Sequence, residues 1–335
     1  MLSNGLIGHG QALDYLFRQE RQGGLRHSYL LLGPPQIGKR TLALTFAMAL
    51  LCEAASDRDD AGARPCGACH TCLRISHGAH PDVLVIEPAG PTFTIEQIRD
   101  LEAELPLTPK EARYKVRILA DFDLATREAQ NALLKTLEEP PGHALLFLTA
   151  SDSESLVPTI LSRCQTLVLR PVPTAEVYSA LLARGVEEQL AAQLAGQCAG
   201  RPGWALRAVA SPELVQERAQ TLAAAASLVG APRIERLRQA ETFGSQERAK
   251  VLDTLRLWKL WWHDLLLVSS GAKEGFALSQ VERPQPVPDL SASDVGRFLG
   301  QMDEIERMVQ RNVNTRLAMD VLLLRMPYAI GYTRR

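Results

Sequence analysis

The 335-residue sequence has no run of about 18 apolar residues, the length a helix needs to cross a bilayer. No charged-then-apolar leader opens it, so the cytoplasm is the expected location. Low-complexity tracts and internal repeats are missing. So is any basic excess: 37 Lys and Arg face 38 Asp and Glu. That balance argues against a chain whose main task is to grip nucleic acid unaided, because phosphate binding draws on clustered positive charge. What is present is ample core material. Apolar residues make up 46% of the chain, and its length suits about two or three ordinary domains.

One further absence is more pointed. Gly33-Pro34-Pro35-Gln36-Ile37-Gly38-Lys39-Arg40 fits the phosphate-loop frame G-x-x-x-x-G-K at every position but the last. The apolar run Tyr29–Leu32 precedes it and a helix-like stretch follows, which is the strand–loop–helix setting the motif requires. Its glycines let backbone N–H groups curl round a phosphate, and Lys39 adds a cation. The Ser or Thr whose hydroxyl should bind Mg²⁺ is Arg40. Thr41 comes one residue late, about 100° further round the helix.

The first half alternates strand-like and helix-like segments. Short apolar runs predict strands at 28–32, 82–87, 115–120, 144–150 and 166–169. Helix patterns lie between them at 40–51, 95–105 and 126–139, the last stopped by Pro140-Pro141. Strands separated by helices imply βαβ units and a parallel sheet. Strands cease after Pro171. Residues 174–210 read as short helices interrupted at Pro202-Gly203, and 212–335 as longer amphipathic ones, including 246–268 and 293–310 about a Pro-rich loop at 282–288. Trp258, Trp261 and Trp262 share one helix face with Leu255, Leu265 and Leu266. That spacing predicts a packed core, either the chain's own or one shared with neighbouring subunits.

Four of the six cysteines, Cys52, Cys66, Cys69 and Cys72, have the spacing of a metal site. Two C-x-x-C steps share Cys69, and Cys52 joins from the end of the preceding helix across the polar stretch 53–65. Four thiolates suit a closed tetrahedral Zn²⁺ site of structural type. A disulfide pair or loose thiols form the bland alternative, disfavoured for a cytosolic chain. An iron–sulfur run would need cysteine at Ser76. His70, His77 and His80 stand close enough to be rival ligands. Cys164 and Cys198 read as ordinary semi-buried thiols.

Two further stretches make a specific resemblance. Asn131-Ala132-Leu133-Leu134-Lys135-Thr136-Leu137-Glu138-Glu139-Pro140-Pro141 and Thr159-Ile160-Leu161-Ser162-Arg163-Cys164 look like the clamp-loader branch of the AAA+ ATPases. The four-cysteine element after the P-loop helix matches bacterial clamp loaders, and Asn312 to Leu317 resembles the opening of the last collar helix, which extends the likeness over the whole chain. The resemblance implies an α/β plus all-α architecture. Residues 1–170 would form an AAA+-like P-loop domain with a zinc module about 52–80, residues 171–211 a small helical lid, and residues 212–335 a helical collar.

The resemblance also assigns roles. It places Ala120 where motor subunits carry the magnesium-side Asp, and Asp121 where they carry the catalytic Glu. Both protein handles for Mg²⁺ are then lost together, which points to a retired catalyst with Mg²⁺ not expected, since phosphoryl transfer needs the metal to bridge the β- and γ-oxygens. A register shift making Asp121 or Asp123 the ligand is the opposing reading. Gly33, Gly38, Lys39 and Thr41 remain as a degenerate nucleotide site whose occupancy the sequence leaves open. Arg163, as a bare residue a solvated charge, becomes an arginine finger reaching a neighbour's ATP. Arg207 and Ser151 fall near sensor positions, with a structural Arg and a turn cap as the alternatives. The acids ending the 126–139 helix oppose its dipole, as a surface kept for a partner would. The implied partners are gamma/tau and delta clamp-loader subunits in a hetero-pentameric ring, with the sliding clamp and primed DNA reached through that complex. The leading expectation is a stator that does not hydrolyse ATP. An active motor subunit and a zinc-dependent nucleic-acid-binding protein are the alternatives.

Overall fold

Five apolar runs become one parallel sheet: β1 (Ser28–Leu32), β2 (Val83–Ile86), β3 (Lys115–Leu119), β4 (Ala144–Ala150) and β5 (Gln165–Val168), in the order β2-β3-β4-β1-β5. Parallel strands are covered on both faces, so their residues need not alternate. All seven residues of β4 are buried. The computed structural model describes residues 5–55, 65–272, 274–279, 282–284, 288–310 and 313–329. Asn312, most of the 53–65 stretch and part of the Pro-rich 282–288 loop therefore lie outside the described residues.

Helices cover the sheet on two sides. On one lie α1 (Gly10–Arg21), α2 (Lys39–Leu50) and α3 (His70–Ser76), whose Leu13, Leu16, Leu42, Phe46 and Ile75 pack with Tyr29, Val116 and Phe147. On the other lie α4 (Ile95–Glu104), α5 (Arg127–Glu138) and α6 (Pro158–Arg163), joined through Ile98, Leu101, Leu133, Leu137 and Ile160 to Leu30, Leu146 and Leu148. Capping fixes where two of them start. Thr94 and Gln97 form a capping box on α4, and the Thr126 hydroxyl accepts the Ala129 N–H at 3.2 Å on α5. α7 (Thr174–Leu182) follows β5.

The chain divides into two compact units, residues Met1–Glu187 with Gly200–Trp204, and Glu188–Ala199 with Ala205–Arg335. Further helices are α8 (Glu188–Gln197), α9 (Pro202–Ala210), α10 (Glu213–Val229), α11 (Arg233–Gly244), α12 (Arg248–Ser269), α13 (Ala292–Gln310) and α14 (Thr315–Arg325). Trp258, Trp261 and Trp262 are all buried within the second unit's own core, against Phe243 and Phe298, so the tryptophan stripe is not a face left for another subunit.

Arg236 is buried there too. Its guanidinium donates to the carbonyls of Leu228, Val229, Met326 and Pro327 at 3.0, 3.0, 2.5 and 2.9 Å, satisfying the carboxyl-terminal ends of α10 and α14. No helix among the described residues is long and apolar enough to cross a membrane.

Candidate functional site

The chain leaves β1 for β2 towards one edge of the sheet and leaves β4 for β5 towards the other. The carboxyl ends of β1 and β4 thus border the switch point where open α/β sheets bind ligands. The phosphate loop sits there, pinned by the Gly33 N–H donating to the Ala150 carbonyl at 3.2 Å. Gly38, just before α2, has φ 114°, a conformation that glycine adopts without strain.

The loop is partly occupied by its own groups. Lys39 is only 5% exposed, and its Nζ donates to the Gly33 and Pro34 carbonyls at 2.6 and 3.2 Å. Arg40, at the place of the magnesium-binding hydroxyl, is half exposed and pairs with Glu87 beyond β2. Thr41 is partly buried one step along α2. From the amino-terminal side, the His9 ring Nε2 lies 2.9 Å from the Ile37 carbonyl. The Gly203 N–H donates to the Gln36 carbonyl at 2.9 Å, and a Cβ at 203 would stand 2.7 Å from that oxygen. Beside the loop opens a cleft of about 490 Å³, lined by Leu6, Ile7, Gly8, Ala175, Glu176, Ser179 and Ala180. Apolar walls beside a cationic loop suit a planar ring carrying phosphates.

At the end of β3, Ala120 offers only a buried methyl group. Asp121 holds a left-handed φ of 56° and donates its N–H to Thr149 Oγ1 at 2.8 Å. Asp123 turns inward. Its Oδ2 accepts the Ser151 N–H at 3.0 Å, while Oδ1 is buried without a partner. Burial pushes the Asp123 carboxyl above the usual aspartate range, against the pull of the Ser151 N–H and the nearby Lys39 charge. The N–H of Ser151, the sensor-1 candidate, is thus spent on Asp123. Arg207 is exposed near the end of α9.

Arg163 ends α6 with its side chain one-third exposed. Nη2 donates to Glu138 Oε1 at 2.5 Å, and Nη1 reaches the Thr159 carbonyl at 3.2 Å and Ser162 Oγ at 3.4 Å. All these partners lie on α5 and α6, none on the chain's own phosphate loop.

The four cysteines converge. Their sulfurs lie within 4.8 Å of one another, Cys52 and Cys72 buried and Cys66 and Cys69 partly so. A tetrahedral zinc with Zn–S bonds of about 2.3 Å asks for sulfurs about 3.8 Å apart, so only a small contraction is needed. Backbone N–H groups already point at the sulfurs: Cys69 N–H to Cys66 Sγ at 3.3 Å, and Cys72 N–H to Cys69 Sγ at 3.4 Å. The backbone N–H groups of Ala68 and Cys69 hold Cys66 down to about 6, favouring its thiolate, whereas burial pushes Cys52 and Cys72 up. All six cysteines are free thiols, so no disulfide competes. Among the described residues no histidine joins the cluster. His80 is buried and takes the Asp82 N–H on Nδ1 at 3.2 Å. Cys164 and Cys198, expected to be semi-buried, are fully buried.

Sequence reasoning missed the contacts that His9, Glu87 and Gly203 make with the loop. Each reaches it from a distant segment, where no motif spacing points, and Gly203 is marked in the sequence only as a helix interruption.

The family model described as "DNA polymerase III, delta subunit" matches residues 8–173. DNA polymerase III subunit delta' of Bacillus subtilis is 33% identical over 185 residues, 55% of this chain and 54% of the relative. The subunit delta' of Pseudomonas aeruginosa is 39% identical over 170 residues, 50% of each. DNA polymerase III subunit tau of Escherichia coli is 34% identical over 172 residues, 51% of this chain and 26% of the relative. The chain spans about half the length of the two delta' relatives. The matched half of the chain, which carries the phosphate loop, the four cysteines and Arg163, is thus similar to the delta' and tau subunits of DNA polymerase III.

Proposed function

We propose that the chain is the non-hydrolysing stator of a DNA polymerase III clamp loader, a holoenzyme subunit that completes a ring and donates Arg163 to a neighbour's ATP. The observation that carries this is the fate of the two magnesium positions. Arg40 faces outward to Glu87, and Ala120 has no ligand atom. Without Mg²⁺ between the β- and γ-oxygens, developing charge goes unneutralised and turnover in cis has no route. Any nucleotide bound at Gly33, Gly38, Lys39 and Thr41 would then be structural.

Residues 1–170, 171–211 and 212–335 serve in this reading as P-loop, lid and collar domains. The gamma/tau and delta subunits are the ring partners. Sliding clamp and primed DNA are engaged through the assembly, in the cytoplasm. Cys52, Cys66, Cys69 and Cys72 would hold a structural Zn²⁺, which ties the end of α2 to α3 and leaves no open coordination position for chemistry.

A second reading, an active motor, is favoured by one observation: Asp123 brings a carboxyl with an unpartnered oxygen close to Lys39. Steady ATP turnover by the isolated chain, abolished by Lys39→Ala, would establish the motor. The stator reading predicts background turnover only. Its positive test is a loader reconstituted with Arg163→Ala. Arginine fingers are worth roughly 10³- to 10⁵-fold in rate, so the site facing this subunit should fall silent while the ring still assembles. Arg163→Lys keeps charge but loses the planar fork, and should recover little. Wild-type loading by both variants would reduce the chain to a scaffold.

A further inference from the structure

We propose that Glu138 is a positioning residue for Arg163, setting the direction of the guanidinium before a neighbour's phosphate arrives; this rests on the arginine-finger reading. Glu138 is the last residue of α5, where a carboxylate meets the negative end of the helix dipole. Glu139 beside it forms no ion pair among the described residues. Glu138 instead closes on Arg163, so one of two locally unfavourable acids has a geometric purpose.

The contact is built on rigid parts. α5 ends at Glu138, followed by a non-helical Glu139 that Pro140 keeps out of the helical conformation. Leu133 and Leu137 of α5 pack with Ile160 of α6 beneath the pair. A second hold comes from α6 itself, whose Thr159 carbonyl and Ser162 Oγ take Nη1. The long Arg side chain, otherwise free to sample many rotamers, is thereby held over the α5–α6 seam.

Magnitude decides between positioning and locking. The partners are 33% and 51% exposed, and such exposed pairs bias a population only about 1.5- to 5-fold. A γ-phosphate carrying two or more charges, bound bidentately, outcompetes one solvated carboxylate. Glu138 therefore narrows the search of the finger without holding it back.

The test is a double-mutant cycle in the reconstituted loader, reading DNA- and clamp-stimulated ATP hydrolysis. Glu138→Ala should lower hydrolysis at the one site facing this subunit about 2- to 5-fold, and the loader's total by that site's share, with KM for ATP unchanged; Glu138→Gln, which keeps the acceptor oxygen but not the charge, should lie between it and wild type. In an Arg163→Ala background, Glu138→Ala should cause no further loss. An Arg163→Ala loader with wild-type hydrolysis would remove the finger reading on which this stands. Full activity of Glu138→Ala in a loader that does need Arg163 would refute positioning alone. An equal loss from Glu138→Ala in both backgrounds would also refute it, because the residue would then be acting on the structure at large.

Discussion

Asp123 is a carboxyl in an expensive place. One oxygen is buried without a partner, and burial raises its pKa, so the folded chain binds this proton more tightly than the unfolded chain does. Stability from this group is accordingly full below the ordinary aspartate value of about 3.9 and falls as pH rises through the raised folded value. Asp123→Asn keeps an oxygen for the Ser151 N–H and removes the buried charge. It should raise stability above that window, by about 1.4 kcal/mol for each tenfold that burial weakens the acid, and change little below it. Denaturant unfolding across pH checks this. A variant less stable than wild type at neutral pH would mean that attraction to Lys39 outweighs burial. Arg236 offers the opposite case, a buried charge that is well satisfied. Arg236→Met removes a donor from four carbonyls at the ends of α10 and α14, of which Leu228 and Val229 keep a backbone N–H, and should cost about 1–3 kcal/mol for each acceptor left unsatisfied. Fluorescence of Trp258, Trp261 and Trp262, all in the same unit's core, reports the loss directly.

At the scale of elements, the cysteine module would, with zinc bound as proposed, act as a staple between α2 and α3. Zinc requires deprotonated thiols, so uptake releases protons and metal affinity falls as the solution is acidified. Removing the metal with a chelator should lower the melting temperature and loosen α3, whose amino-terminal cap is a cysteine sulfur. Metal analysis should find about one zinc per chain, and Cys69→Ser should lose it. Retention of full zinc in that variant would strike Cys69 from the ligand set. Much at this scale is legible in the residues alone. The five strands can be read because each is a short, largely apolar or β-branched run, and α5 because a Thr cap and Pro140-Pro141 bracket it. α1 escapes such a reading. It begins after His9 in a left-handed conformation with no side-chain cap, and buries only Leu13 and Leu16. α3 is seven residues long with a sulfur for a cap, which no helix-start rule anticipates. The four clustered cysteines are legible because three of them are spaced locally, with Cys52 at the end of the preceding helix. Glu138 with Arg163, Asp123 with Ser151 and Gly203 with Gln36 are not, because each pair is separated in sequence and joined only by the packing of different elements.

For the whole molecule, the proposed retirement of the catalyst would leave the phosphate loop in place as architecture. Lys39 fastens the loop to itself, and Gly203 closes on it from a helix far downstream in the chain. Lys39→Ala should therefore act mainly on stability, whatever it does to nucleotide. The Arg236 bonds carry a different consequence, for the order of events at the ribosome. Their acceptors include the carbonyls of Met326 and Pro327, close to the carboxyl-terminal end of the chain. The sheet of the first unit closes with β5, the last of its strands, at Val168. A growing chain can thus finish its phosphate-loop sheet while still tethered, yet α11, which packs chiefly on α14, must wait with its apolar face uncovered until α14 has been translated. During that interval the half-made helical unit exposes apolar surface of the kind that aggregates or engages chaperones.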